Sequence, residues 1–247
     1  MVQRIMYSRY DITPARLSVG EKDSIRYVIE CENYETDFCA GDELEFCLIL
    51  FGKTIVYFNQ YLLALYSLGQ DGIGKEHAQF VVAAVTNEFR QPILEDNNIF
   101  MGNYKHRTLL EYVNYRLKSV DIDAKKIVFK TPVTIKFQKE FMQEFDGNGI
   151  VNALLRRIYM LDCFEGIEVD LFHDYEACVP AIVRSEKRPI DVRRYSSRKD
   201  SQMVLKGIKG SIEFDEIDEE LLWLLLAAEI THIGKNTSFG FGRLRVE

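Results

Sequence analysis

The amino-acid sequence predicts an α+β protein of two similarly built halves. Three observations predict it. The second half reads, in order, as strand, helix, strand, strand, helix and strand. One helix-and-turn unit occurs twice in the chain. The 247 residues, 47% of them hydrophobic and 12% aromatic, also suffice for a substantial buried core.

In the first half, ELEFCLILFG (Glu43 to Gly52) reads as a strand, IVYFNQYLLALYSLG (Ile55 to Gly69) as a helix and HAQFVVAAV (His77 to Val85) as the following strand. No opening strand and helix stand out before residue 25, so the expectation is an incomplete first domain or a chain that begins late. YKHRTLLEY (Tyr104 to Tyr112) reads as a helix start. In the second half, IVFKTPVTIKF (Ile127 to Phe137) is rich in β-branched and aromatic residues and reads as a strand, with Pro132 at an edge or bulge. GIVNALLRRIYMLDCF (Gly149 to Phe164) has apolar residues at helical spacing. DVRRYSSRKDSQMVLKGIKGSIEF (Asp191 to Phe214) reads as two strands around SSRKDS. IDEELLWLLLAAEI (Ile217 to Ile230) reads as a helix whose acidic start suits its N-terminal dipole, and FGRLRV (Phe241 to Val246) as a closing strand. That order is the split βαβ plan of ferredoxin-like domains. Two tandem ferredoxin-like (RRM-like) domains are expected, over 1–120 and 121–247, the N-terminal one incomplete.

The repeated unit supports the division. Leu62, Leu63 and Leu65 correspond to Leu222, Trp223 and Leu225, and Ile73-Gly74-Lys75 to Ile233-Gly234-Lys235, all at one offset of 160 positions. A repeat at that distance points to two domains of similar build, since a solenoid period is several-fold shorter.

The net charge of −7 argues against general adhesion to nucleic acid, although a local basic patch overrides such a balance. The N-terminus lacks the apolar core of a signal peptide, and the run LLWLLLAA is too short to span a bilayer, so a soluble cytoplasmic location without membrane contact is expected. Cys31, Cys39, Cys47, Cys163 and Cys178 are odd in number and no pair has a two-residue spacing, which reads as reduced residues in or near the core. Asn236-Thr237-Ser238 spells a glycosylation sequon by letter only.

Two stretches carry chemistry. Gly69 to Glu76 (GQDGIGKE) nearly spells a phosphate-binding loop, but Glu76 stands where a hydroxyl is needed and the helix precedes the loop instead of following it; a plain turn is the better reading. The stretch from Arg184 to Lys209 holds nine basic residues (Arg184, Lys187, Arg188, Arg193, Arg194, Arg198, Lys199, Lys206, Lys209) against Glu186, Asp191 and Asp200, a local +6 that leaves about −13 elsewhere. Such a hairpin is usually a solvated surface. Here it lies one helix away from THIGKNTSFGFGRL (Thr231 to Leu244), whose glycines permit close backbone approach and whose Lys235 suits an anion. Cations on a hairpin beside open amides suit a phosphodiester chain, with Tyr195 placed to stack on a base. Of His77, His106, His173 and His232, no two have the spacing of a helical metal pair, so neither a metal nor a cofactor is expected. His232 opens the glycine loop and reads equally as a polar helix-end residue or a catalytic one.

TPVTIKF, LLRRI, RYSSRKDSQMVLKGIKGSIEF and LLLAAEITHIGKNTSFGFGRLRV resemble, in that order, the C-terminal half of CRISPR-associated endoribonucleases that process precursor CRISPR RNA. CAGDELEFCLILFGKTIVYFNQYLLALYSLGQDGIGK resembles their N-terminal half. These belong to the repeat-associated mysterious protein superfamily. Gly234, Lys235, Gly240 and Gly242 fit the family's glycine-rich loop, whose first position, commonly glycine, is His232 here. Arg194-Tyr195-Ser196-Ser197-Arg198 fits its hairpin motif. The resemblance implies metal-independent attack of a ribose 2′-hydroxyl on the adjacent phosphate within repeat RNA. His232, by its place at the entry of the loop, and Lys235 are the candidates in this sequence for that catalysis. For RNA binding the matched motifs imply Arg194, Tyr195, Arg198, Gly234, Gly240 and Gly242, and the local basic charge adds Arg193, Lys199, Lys206 and Lys209. Many relatives draw a catalytic histidine from a first N-terminal helix, the element not found here, so a role as a non-catalytic guide-RNA subunit is the alternative. Repeat or guide RNA and other CRISPR-associated proteins are the implied partners. An interaction module whose glycine loop only turns the chain is the third reading.

Overall fold

A computed structural model describes residues 26–33, 35, 37–74, 76–121, 123–167, 179–196 and 201–247. The segment before residue 25 lies outside them, as do Lys75, His173, Cys178, Ser197, Arg198 and Lys199. Of the cysteines expected in or near the core, Cys163 is buried but Cys31, Cys39 and Cys47 are exposed, on or between short strands of the first half.

The N-terminal half opens with β1 (Tyr27–Glu30) paired antiparallel to β2 (Cys47–Leu50). A 3-10 turn over Gly52–Tyr57 leads into helix α1 (Phe58–Asp71). A meander follows: β3 (Ala84–Thr86), β4 (Pro92–Glu95) and β5 (Asn98–Ile99). The strand expected over His77 to Val85 is therefore confined to its end. Before Ala84 the backbone bonds back to the helix instead, with Phe80 N–H donating to the Gly69 carbonyl and the Gln79 amide to that of Gln70. Helix α2 (Leu109–Leu117) starts where YKHRTLLEY predicts, on a capping box in which Thr108 and Glu111 satisfy each other's backbone N–H groups.

The C-terminal half runs β6 (Lys126–Val133), the short hairpin β7 (Lys136–Phe137) and β8 (Glu140–Phe141), α3 (Gly147–Glu165), β9 (Ile182–Ser196), β10 (Ser201–Phe214), α4 (Glu219–Thr231) and β11 (Leu244–Val246). Its sheet has the order β11-β6-β10-β9 with every neighbour antiparallel, which is the ferredoxin-like split βαβ arrangement. Alternation builds the core: Ile127, Phe129 and Val133 of β6 and Ile208, Ile212 and Phe214 of β10 turn inward onto Ile150 and Leu154 of α3 and Leu221 and Leu225 of α4. Pro132 sits where the β6–β10 register shifts, the bulge its missing N–H requires. Asp146 and Asp218 cap the two helices by accepting from Gly149 N–H and Leu221 N–H. Helix α4 is apolar on nearly every face because α2 and α3 pack on it as well.

One polar group breaks that apolar helix. Glu229 is buried and accepts from Arg116 Nε (2.7 Å) and Nη2 (3.0 Å), Tyr112 Oη (2.7 Å), Arg245 Nη1 (3.0 Å) and Val246 N–H (3.0 Å). Burial alone would raise its carboxyl, but Arg116, the Val246 N–H, Tyr112 and Arg245 outweigh it and hold Glu229 below the usual carboxylate range. The halves meet through Arg26 Nη1, which pairs with Glu165 Oε1 at 3.0 Å while its guanidinium lies on Phe164.

The offset of 160 extends beyond the residues that revealed it. Added to β1, α1 and β3, it lands within β9, on α4 to within a residue, and on β11. Strand register follows: Tyr27 faces Leu50 as Lys187 faces Gly210, and Glu30 faces Cys47 as Ile190 faces Gly207. Among the described residues, no helix is long and apolar enough to cross a membrane.

Candidate nucleic-acid interface

The loop after α4 is built from backbone geometry. His232 ends the helix with its N–H still donating to the Ala228 carbonyl at 3.0 Å, but with φ 57° and ψ 168°, a region that is essentially glycine's. Holding a histidine there costs about 1–3 kcal/mol. Its ring contacts offset this: Nδ1 lies 2.9 Å from the Phe241 carbonyl and Nε2 2.7 Å from Glu30 Oε1. The carbonyl only accepts, so Nδ1 donates to it, and Nε2 is hydrogen-bonded to the Glu30 carboxyl. Glu30 belongs to β1, so His232 ties the N-terminal half to the loop. The side chain is 0% exposed.

Gly234, Gly240 and Gly242 all have positive φ (80°, 77° and 75°). A Cβ on Gly234 would stand 2.5 Å from the Thr134 carbonyl oxygen, one on Gly240 2.7 Å from that of Ile29, and one on Gly242 would overlap that of Ile233. The close approach these glycines permit is to the chain's own backbone. Thr237–Phe239 forms a 3-10 turn between left-handed Asn236 and Gly240, with Phe239 52% exposed.

The β9–β10 hairpin docks on this loop. Its strands are 15 and 14 residues long, and β9 is exposed along most of its length. The Arg194 guanidinium lies 4.5 Å from the centre of the Phe239 ring. Thr134 completes the junction: its hydroxyl donates to the Lys206 carbonyl, and its own carbonyl accepts from Lys235 N–H at 2.7 Å. Arg193, Tyr195 and Lys206 share one face of the ribbon, whereas Arg194 and Lys209 share the other. The predicted residues are thus brought to one junction but not to one surface.

Toward the hairpin's root two cations are paired, while Arg188 and Lys209 have no acidic partner among the described residues. There Arg184 pairs with Glu186 at 2.8 Å and Lys187 with Glu144. Arg193, Arg194, Lys206 and Lys235 have no acidic partner within salt-bridge distance among the described residues. Positive charge is left unneutralised where the hairpin meets the loop. Arg243, at the end of the loop, is by contrast paired with Glu30 and Glu32. His77 and His106 are exposed and lie outside this junction, His77 near the end of α1 and His106 just before α2. Sequence reasoning missed Phe239, Thr134 and Glu30. Phe239 was readable as an aromatic inside a tight loop, but Thr134 and Glu30 act through partners 72 and 202 positions away and carry no local signal.

Residues 127–244 match a family model described as CRISPR-associated endoribonuclease Cas6, and residues 15–109 match one described only as an N-terminal domain. Among solved structures, a partial Cas6-RT-Cas1–Cas2 complex superposes with a TM-score of 0.54 at 12% identity, over 90% of this chain and 39% of that one. A Cas6 product complex of Thermus thermophilus gives 0.51 at 13% identity, over 90% and 81%. At such identities the likeness is one of fold. No curated protein matches the chain at a significant level.

Proposed function

We propose, from the premise that this chain belongs to the family of CRISPR-associated RNA-processing endoribonucleases, that it binds precursor CRISPR RNA and cleaves it within the repeat. The chain divides near residue 120 into two domains, and RNA lies along the junction of the second domain's hairpin and glycine loop. One observation carries this reading: Arg193, Arg194, Lys206 and Lys235, spread over both faces of the ribbon, have no acidic partner among the described residues in a protein of net charge −7. A phosphodiester chain supplies the missing negative charge and releases counter-ions as it binds.

The chemistry is attack of a ribose 2′-hydroxyl oxygen on the adjacent phosphorus. The bond to the 5′-oxygen breaks, leaving a 2′,3′-cyclic phosphate and a 5′-hydroxyl. The 2′-hydroxyl proton goes to a base and the 5′-oxygen takes one from an acid, with no metal required. Lys235, exposed on a rigid loop, supplies positive charge to the phosphorane. His232 is engaged at both ring nitrogens and buried, so it acts on a substrate only if its bonds to Glu30 and Phe241 open; as placed, it holds the loop. That burial favours one second reading, a subunit that grips guide RNA without cutting it.

Incubation with repeat RNA in excess chelator tests both. Product with a cyclic phosphate end supports the nuclease, a mobility shift without product supports the binding subunit, and neither removes both. His232→Ala lowers affinity and cleavage together if the residue holds the loop. Lost cleavage at undiminished affinity would return it to the chemistry.

A further inference from the structure

We propose that Phe239 is a stacking platform for one unpaired RNA base, with Arg194 as the layer beneath it; this rests on the RNA-binding reading above. Phe239 is 52% exposed although it sits in a loop held by left-handed Asn236, Gly234, Gly240 and Gly242. One side of the ring is occupied by the Arg194 guanidinium, 4.5 Å from its centre, which leaves the remaining exposed surface to solvent. Arg194 Nε is buried without a hydrogen-bond partner, and the residue has no acidic partner among the described residues. Guanidinium, ring and base then form a three-layer stack, held at its lower end by β9 and at its middle by the glycine loop.

The surroundings favour a base over another apolar group. Phe239 stands between left-handed Asn236 and Gly240, and Gly240 is seated against the Ile29 carbonyl, so the ring's position is fixed by backbone and little entropy is lost on stacking. Lys235, exposed four residues earlier on the same loop, supplies a phosphate-seeking cation in addition to Arg194, whereas the Lys206 side chain turns to the ribbon's other face. An aromatic face edged by unpaired cations is the arrangement that receives single-stranded nucleic acid, and every base offers a π-face to it. Stacking contributes no counter-ion release, so its removal has a signature distinct from that of a lost cation.

The test uses the full chain with oligoadenylate and with a CRISPR repeat RNA, each carrying 2-aminopurine at successive positions. Wild type is expected to quench one position selectively. Phe239→Tyr and Phe239→Trp should keep that quench. Phe239→Leu, which keeps an apolar side chain but no π-face, should lose it and bind roughly 5- to 100-fold more weakly with an unchanged salt slope. If Phe239→Leu binds as wild type does, or if its salt slope falls as it does in Arg194→Ala, the ring serves only to prop the arginine and the proposal is overturned alone. If wild type binds neither RNA, the RNA-binding reading falls and this one with it.

Discussion

The two halves carry the same unit, β-hairpin, helix, turn and strand, 160 residues apart, yet only one has become a candidate binding site. Backbone geometry is shared at the turn. Gly72 after α1 has φ 84° and ψ 159°, while His232 after α4 has φ 57° and ψ 168°, and each N–H bonds to the carbonyl four residues back. Gly74 and Gly234 are both left-handed. What differs is everything packed on the turn. A Cβ on Gly74 would meet nothing within 4 Å, whereas one on Gly234 would strike Thr134. Gly69 stands where α4 has Glu229, and four-residue β1 and β2 stand where the other half has strands of 15 and 14. The turn is thus a general helix-to-strand device. What sets the second copy apart is a lengthened hairpin and the contact with Thr134, since left-handed glycines are common to both.

The largest expected effect tests the anchoring of the two helices. Glu229→Ala leaves Arg116 buried without its carboxylate and should cost about 3–5 kcal/mol in urea unfolding, whereas Gly69 offers no such charge to lose. Next comes Gly234→Ala, which forces a positive φ and a clash with Thr134; about 2 kcal/mol or more is expected, with weakened RNA binding, read by melting and by titration. Acid should act on the same helix. The Glu229 carboxyl is held below its unfolded range, so its contribution is complete above about pH 4.3 and fades as pH falls toward the folded value. Urea midpoints measured from pH 6 down to 3 should therefore fall less in Glu229→Gln than in wild type. Lys235→Ala should reduce the slope of log K against log salt for single-stranded RNA by about 0.7 with little change in stability. Smallest is Gly74→Ala, where strain without a clash costs about 1 kcal/mol and RNA affinity stays unchanged. Equal losses for Gly74→Ala and Gly234→Ala would dissolve the contrast between the turns.

Much of the fold was legible because it rests on local pattern. The alternation of Ile127, Phe129 and Val133, the periodicity from Gly149 to Phe164 and the acidic start before Leu221 are signals confined to a few neighbouring residues. The expected strand over His77 to Val85 reads by composition alone, and tertiary bonds to the end of α1 override it. At the site, the basic hairpin and the glycine spacing were visible, but their meaning was not. The glycines face Thr134, Ile29 and Ile233, partners set by sheet topology, and His232 takes a backbone conformation that its residue type alone argues against. Phe239 became distinguishable from other exposed apolar residues only once Arg194, 45 positions earlier, was seen beneath it.

Thr134 gives its hydroxyl hydrogen to the hairpin and lends its carbonyl to the loop. One short residue thus serves two elements at once, so a substitution there is felt by the ribbon and the turn together.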